Sequence, residues 1–109
     1  MKIYIYVDDI RDDDYFYNHY LSPEWRPIIC RNYGLAVQAL TQHLTDEIFI
    51  DLDHDLGFDN DNCEYSGYDI CKFIIQHQIP LTGFHIHSMN PVGAQNMRQL
   101  LTHYGYKEY

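Results

Sequence analysis

Short apolar runs alternate along the chain with stretches whose apolar residues recur at helical spacing. The runs are rich in β-branched and aromatic residues, which is typical of β-strands. The intervening stretches place apolar side chains three or four positions apart, which is typical of amphipathic helices. The predicted strands are residues 2–7, 27–31, 47–52 and 82–87, with 105–109 adding only a stub. The predicted helices are residues 12–20, 33–44, 67–78 and a last one that begins at 91, and the polar stretch 58–66 is predicted to be a loop.

The last predicted helix has the clearest start signal. Asn90 stands at the capping position and Pro91 at the first helical position, an order that favours a helix N-terminus. Ala94, Met97 and Leu101 then mark its buried face.

Strands that alternate with helices predict βα units and a parallel sheet. A chain of 109 residues has room for one hydrophobic core, so residues 1–109 are predicted to form a single α/β domain. In sheets of this type, ligands bind beyond the carboxyl ends of the strands, at a topological switch point. The residues that follow each predicted strand are therefore the first candidates for chemistry.

Polar residues follow three of the predicted strands. Asp8 and Asp9 close the first strand, residues 53–55 close the third, and His87 and Ser88 close the fourth. Three separate segments are therefore expected to converge on one edge of the sheet.

The net charge of −9 restricts the partners of this chain. Binding a phosphate backbone requires clustered Lys and Arg, so direct binding of duplex nucleic acid is not expected, and an anionic membrane surface is disfavoured. A small phosphorylated molecule is compatible with this charge if a metal ion lies between the carboxylates and the phosphate.

Cysteine usage and chain composition bear on location. Cys30, Cys63 and Cys71 form no CxxC pair, which is the usage expected in a reducing cytosol. The apolar run 1–7 is too short for a signal peptide, and no stretch is long enough to span a bilayer. These features predict a cytoplasmic protein, in a bacterial or a phage-infected host cell.

Five aspartates cluster at the predicted sheet edge: Asp8, Asp9, Asp51, Asp53 and Asp55. Each close pair of carboxylates costs on the order of 1 kcal/mol even at high dielectric, so a counter-ion is expected. Mg²⁺ takes one or two carboxylates with waters and substrate oxygens, and Mn²⁺ is the alternative. The predicted metal ligands are Asp8, Asp9, Asp53 and Asp55. Asp51 is the weakest candidate among the five aspartates. The alternative interpretation needs no metal: Asp8 and Asp9 would then form a turn, and Asp55 would cap a loop.

Two histidines lie near the predicted end of the fourth strand. His85 and His87 are two residues apart, so both imidazoles face the same side. With Ser88 and Asn90 they are predicted to bind phosphate oxygens, next to the positive end of the last helix. His87 is also placed for proton transfer near neutral pH. For His85, the alternative is a hydrogen-bonded, part-buried side chain without a ligand.

His54 and Arg11 complete the set of candidates. His54 stands between two carboxylates, which favour its protonated form. It is therefore a candidate general acid, or a positive charge that only balances the neighbouring carboxylates. Arg11 follows the acidic pair closely, and its planar guanidinium fits a phosphate clamp. As an isolated surface arginine, Arg11 would have no role.

Four sequence blocks together resemble one family. They are VDDxR at 7–11, IDLDHDLG at 50–57, GYD at 67–69 and HSMNPxGAxNM at 87–97. Over nearly its whole length the chain resembles the cyclic-phosphate-processing receiver domains, a divergent branch of the CheY-like receivers. The resemblance implies processing or sensing of cyclic phosphates.

The resemblance also implies a fold and a set of matched positions. The fold is a flavodoxin-like, three-layer sandwich with a short parallel sheet. Asp8 and Asp9 match the metal-binding pair of a receiver, Asp53 its acceptor aspartate and Ser88 its hydroxyl position. Receivers carry a lysine at the end of a fifth strand and then a fifth helix. Here Lys107 is the candidate lysine, and the sheet is expected to be truncated at that strand and helix, which disfavours a phosphorelay switch.

The favoured function is a metal-dependent phosphoesterase for a small cyclic phosphate or cyclic nucleotide. Its predicted catalytic residues are Asp53, His54 and His87, and its predicted phosphate ligands are Arg11, His85, Ser88 and Asn90. Two alternatives stay open: a sensor or sponge that binds a cyclic nucleotide or ADP-ribose-type signal without cleaving it, and an atypical receiver phosphorylated on Asp53. A homodimer is also left open.

Overall fold

Nine helices and strands make up the described part of the chain, which covers residues 1–10, 22–58 and 64–109 of the computed structural model. The predicted helix over 12–20 lies outside the described residues, as does Arg11. The described elements are β1 (Lys2–Val7), β2 (Trp25–Cys30), α1 (Tyr33–Gln42), β3 (Glu47–Leu52), β4 (Asp55–Phe58), β5 (Glu64–Ser66), α2 (Gly67–Gln76), β6 (Gly83–Ile86) and α3 (Pro91–His103). Within this described part, no helix has the length and apolar character needed to cross a membrane.

Four strands form a parallel sheet in the order β2–β1–β3–β6. Val7 in β1 lies opposite both Cys30 and Leu52, so β1, β2 and β3 end at the same level. On the far side of β6, the N–H of Phe84 donates to the carbonyl of Lys107 (2.9 Å), and the tail forms a single bridge there. The flavodoxin-like, receiver-type α/β fold is thus confirmed, with a stub at the position of the fifth strand.

The three helices lie side by side on one face of the sheet, where they cover the apolar core. Alternate residues of each strand point to that face. Burial of one large aliphatic side chain contributes about 1.5–3 kcal/mol, so this layer holds much of the stability. The core includes Ile3, Ile5, Val7, Ile48, Ile50, Leu52, Phe84 and Ile86 from the strands and Ala36, Leu40, Ile70, Ile74, Met97 and Leu101 from the helices. Leu44, predicted to end α1, is exposed because that helix stops at Gln42.

Aromatic residues occupy the opposite face of the sheet. Tyr4 stacks against Phe49 with ring centroids 5.8 Å apart, and Trp25 meets Phe49 edge-on at 6.2 Å. Tyr6, next along the same face of β1, stacks on the imidazole of His87 at 4.8 Å. These aromatic rings are buried, and they form a wall behind the polar residues at the carboxyl edge.

The described ends of the stretch predicted as a loop over 58–66 lie in two antiparallel strands, which corrects the prediction for Phe58 and for residues 64–66. β4 pairs with β5, with Asp55 opposite Ser66 and Phe58 opposite Glu64 in an irregular register. The two strands are only four and three residues long, so the alternation of Leu56 and Phe58 with Asp55 and Gly57 is too short to indicate a strand.

Close packing of α2 against the end of β3 requires a glycine at position 67. A Cβ on Gly67 would lie 2.1 Å from the backbone oxygen of Asp53. The N–H of Gly67 donates to the carbonyl of His54 (2.8 Å). The carboxylate of Asp69 accepts from the N–H of Ser66, which caps the helix (2.8 Å). α2 therefore starts directly behind the carboxyl edge and holds the backbone of residues 53 and 54 in place.

Candidate functional site

Three polar residues extend the parallel ladder by one position beyond the buried strands. The N–H of Asp8 donates to the Cys30 carbonyl (3.1 Å), and that of Asp53 to the Val7 carbonyl (3.0 Å). The N–H of His87 donates to the Leu52 carbonyl (3.0 Å). Because backbone pairing fixes all three residues, their side chains meet at one point of the carboxyl edge. The predicted convergence of segments is confirmed for these three.

The three side chains form a compact donor set. Ligand atoms of Asp8, Asp53 and His87 all lie within 4.8 Å of one another. Asp8 is 1% exposed and Asp53 is 9% exposed, so water screens their charges poorly. The Nε2 of His87 lies 2.9 Å from an Asp8 carboxylate oxygen. Two carboxylates and one imidazole are ligands that divalent cations such as Mn²⁺ or Zn²⁺ take in proteins, so these residues fit a metal ion.

The environment of Asp53 disfavours a negative charge on its side chain. Burial disfavours its ionised form and raises the pKa of the carboxyl above its usual value, and the negative charge of Asp8 acts in the same direction. The charge of His87, the N–H of His54 (2.8 Å) and the hydroxyl of Ser88 act in the opposite direction. The first two effects outweigh the other three, so the pKa of Asp53 stays above its usual value.

The second ring nitrogen of His87 contacts Asp51, the aspartate that the sequence analysis ranked last among the candidates. Its Nδ1 lies 2.5 Å from a carboxylate oxygen of Asp51, which is 0% exposed. The hydroxyl of Tyr4 donates to the other Asp51 oxygen. The stacked ring of Tyr6 fixes the plane of the imidazole. The available signal was the two-residue spacing from Asp53, which puts both side chains on one face of the strand.

His54 and Asp55 form a pair at the rim of the site. The Nδ1 of His54 lies 2.8 Å from an Asp55 carboxylate oxygen and 3.4 Å from the side-chain nitrogen of Asn90. Asp55 is exposed, and its pKa is lowered chiefly by the hydrogen bond with His54. A Cβ on Gly93 would lie 2.4 Å from the His54 ring, so the imidazole packs directly on the first turn of α3.

Ser88 and Asn90 shape the N-terminus of α3. The side chain of Asn90 accepts from the N–H of Gly93 (2.9 Å), as the capping prediction requires. The hydroxyl of Ser88 accepts from the N–H of Asn90 (3.0 Å) and also contacts Asp53. This arrangement brings a helix N-terminus, which favours anions, next to the carboxylate cluster.

The remaining predicted site residues lie at other positions. Asp9 is exposed, next to the backbone of Gly57, and is outside the group formed by the three donors. The Nδ1 of His85 lies 2.8 Å from the backbone oxygen of Tyr109, so this nitrogen ties the tail to the sheet. The ammonium of Lys107 lies 5.0 Å from the centre of the Tyr109 ring, on the stub.

Arg31 is a candidate that the sequence analysis missed. It follows Cys30, whose carbonyl accepts from the N–H of Asp8. Its guanidinium Nη1 donates to the backbone oxygen of Asp8 (3.3 Å). A half-buried cation therefore lies at the rim of the carboxylate cluster. The same strand-end reasoning applied to the second strand would have found it.

The stability effect of Asp53 is a direct test of this electrostatic arrangement. Since folding raises its pKa, Asp53 favours the folded state below its unfolded pKa, and that contribution is lost as pH rises through the folded pKa. Asp53→Asn mimics the protonated form and is expected to raise the free energy of unfolding at pH 7 in EDTA by on the order of 1 kcal/mol. Urea unfolding followed by circular dichroism measures this.

The same measurement with Mn²⁺ tests the cation site. At 100 times its dissociation constant, bound Mn²⁺ should stabilise the wild type by about 2.7 kcal/mol and Asp53→Asn far less. Glu47→Gln is the matched control, since Glu47 is exposed at the opposite end of β3. An Asp53→Asn variant that is less stable in EDTA, or that gains as much from Mn²⁺ as the wild type, would contradict the arrangement.

Comparison with known families bears on the whole chain. A family model described as the cyclic-phosphate processing receiver domain matches residues 3–103, from β1 to the end of α3. No curated protein and no solved structure was found to match the chain. The matched range contains Asp8, Asp53 and His87. Because the match covers most of the chain, this protein belongs to the cyclic-phosphate-processing receiver family.

Proposed function

We propose that this domain is a metal-dependent phosphoesterase that hydrolyses a small cyclic phosphate or cyclic nucleotide. The observation that carries the proposal is the convergence of Asp8, Asp53 and the Nε2 of His87 within 4.8 Å. Membership of a family described by cyclic-phosphate processing supports the choice of substrate. These three residues would hold the cation, which when bound polarises a phosphoryl oxygen and lowers the pKa of a coordinated water.

Hydrolysis of a cyclic phosphodiester needs two proton movements. A water oxygen forms a bond to phosphorus, one ring P–O bond breaks, and a phosphomonoester with a free hydroxyl remains. One proton leaves the water and one reaches the departing oxygen. Both ring nitrogens of His87 lie within hydrogen-bond distance of carboxylates, so we assign proton movement to His54. Its Nδ1 is held by Asp55, which assigns the transfer to Nε2.

Three groups around the cluster are suited to the phosphate oxygens. Ser88 and Asn90 lie at the N-terminus of α3, and Arg31 follows β2, with its guanidinium on the backbone oxygen of Asp8. The guanidinium of Arg31 supplies a positive charge that can pair with a phosphate. Together with a cation, these groups would offset the negative charge that otherwise repels an anionic substrate.

A sensor or sponge is the second candidate function. It would use the same cation and phosphate contacts without cleavage. The engagement of both His87 nitrogens with carboxylates favours it, because binding needs only the cation and the phosphate contacts, whereas cleavage then depends on a single histidine at the rim, His54. Phosphorylation of Asp53 is the third candidate.

Turnover of a panel of cyclic phosphates tests the proposed reaction. The purified protein is incubated with 2′,3′-cyclic nucleotides, ADP-ribose cyclic phosphate, cyclic dinucleotides and an acyl-phosphate donor, each with Mn²⁺, Mg²⁺ or EDTA. We expect metal-dependent loss of one cyclic substrate over many turnovers. Mass spectrometry of the reaction mixture measures this loss. His54→Gln should lower kcat by about 100-fold, because general acid–base catalysis contributes that much or more.

His103→Gln is the matched control for that variant, since His103 is exposed at the far end of α3. Stoichiometric retention of an intact molecule would replace the phosphoesterase by the sensor or sponge. A gain of one phosphoryl group on Asp53 from the acyl phosphate, without turnover of any cyclic phosphate, would replace it by the receiver.

Substitution of Arg31 tests the phosphate contact. Arg31→Gln is expected to raise the Kd or KM of the anionic ligand about tenfold, the effect of losing one charge-assisted hydrogen bond. Arg26 is exposed in β2, the strand that Arg31 follows, so Arg26→Gln should leave the Kd or KM unchanged. Equal ligand affinities of the two variants, measured by titration calorimetry, would remove Arg31 from the site.

A further inference from the structure

Asp51 is a buried carboxylate at a position where an apolar residue would suit the fold better. It is 0% exposed and lies on the same face of β3 as the ring of Phe49. Removing a carboxylate from water is costly unless every oxygen has a partner, and apolar replacements of buried ionic groups are often as stable or more so. The fold therefore gives no reason of its own for an aspartate at this position.

The contacts of Asp51 all bear on the orientation of one imidazole. One of its oxygens accepts from Tyr4, and the other lies 2.5 Å from the Nδ1 of His87. An ionised carboxylate only accepts hydrogen bonds, so the hydrogen of this contact belongs to Nδ1. The ring of Tyr6 stacks on the imidazole with an interplanar angle of 18° and prevents it from tilting. The Nε2 is thereby directed at Asp8, 2.9 Å away, where a bound cation would take the place of the hydrogen that this nitrogen shares with the Asp8 carboxylate.

We infer that Asp51 is a positioning residue that fixes His87 as a nitrogen ligand and so makes the site prefer Mn²⁺ or Zn²⁺ to Mg²⁺. Metal-binding histidines commonly donate their second N–H to a carboxylate, which sets the tautomer and raises the basicity of the ligating nitrogen. Mg²⁺ strongly prefers oxygen ligands, whereas Mn²⁺ and Zn²⁺ also accept imidazole. The inference rests on the proposed function for the existence of a cation site, but not on catalysis.

The wild-type protein provides the first test. Histidine ¹H–¹⁵N correlation spectra are recorded without metal, with Mg²⁺ and with Zn²⁺, and His87 is assigned from the spectrum of His87→Gln. We expect the Nδ1 of His87 to keep its proton in all samples, and the Nε2 resonance to shift with Zn²⁺ but not with Mg²⁺. A shift at Nδ1 in place of Nε2, or no difference between the two metals, would overturn the inference.

Metal affinities of Asp51 variants provide the second test. Loss of a carboxylate behind a metal-binding histidine costs about 10–100-fold in affinity, so Asp51→Ala should weaken Mn²⁺ binding by that factor and Mg²⁺ binding by less than about threefold. Asp51→Asn, which keeps one oxygen acceptor, should lie between Asp51→Ala and the wild type. Glu47→Gln removes an exposed carboxylate at the opposite end of the same strand, so it should leave both affinities unchanged and is the matched control. Electron paramagnetic resonance of free Mn²⁺, with Mg²⁺ as competitor, measures both affinities.

The outcomes separate this inference from the proposed function. Equal Mn²⁺ affinity in folded Asp51→Ala and the wild type, with turnover of a cyclic phosphate by the wild type, would overturn the role of Asp51 alone. Loss of Mn²⁺ affinity in Asp51→Ala, with no turnover by the wild type, would support the role of Asp51 and leave the protein a sensor or sponge. Equal losses for Mn²⁺ and Mg²⁺ would overturn the metal preference.

Discussion

Two buried carboxylates that lie close together repel each other, and the parallel sheet keeps Asp8 and Asp53 in that position. Each follows directly on a fully buried strand residue, Val7 or Leu52, and each is tied by its own N–H to a neighbouring strand. The backbone pairing fixes the Cα positions of both residues, and both side chains are buried there. The repulsion is therefore built in by the register, and the neighbouring groups offset it: His87 at 2.9 Å from Asp8, and in the proposed function a cation.

The apolar core that stabilises the fold and the candidate site lie on different parts of the sheet. Apolar side chains from three helices and four strands cover one face, and this burial supplies stability that the carboxyl edge does not. The opposite face carries an aromatic wall that ends in the contact between Tyr6 and His87. A raised pKa at Asp53 and a buried Asp51 are both unfavourable to folding in isolation, a pattern that is common at functional sites.

Sequence patterns predicted the four strands of the parallel sheet, the three described helices and the three converging donors, but not the β4–β5 pair. The donors could be predicted because strand ends in a parallel sheet share one edge. Sequence patterns did not separate Asp8 from Asp9: successive residues of an extended backbone point to opposite sides, so one carboxylate is buried and its neighbour is exposed. The role of Asp51 depends on its partners on two other strands, which follow from the register and not from local spacing. Arg31 was missed because it was counted as the last residue of a strand, although it lies at the same edge.

The position of a bound cation would show whether Asp8, Asp53 and His87 form a metal site. Crystals grown with Mn²⁺ and measured at a wavelength where manganese scatters anomalously would give its position independently of any assay. We expect an anomalous peak within bonding distance of carboxylate oxygens of Asp8 and Asp53 and of the Nε2 of His87. A peak bound only to exposed carboxylates such as Asp9 or Asp55, or no peak at a Mn²⁺ concentration that stabilises the protein, would contradict this expectation.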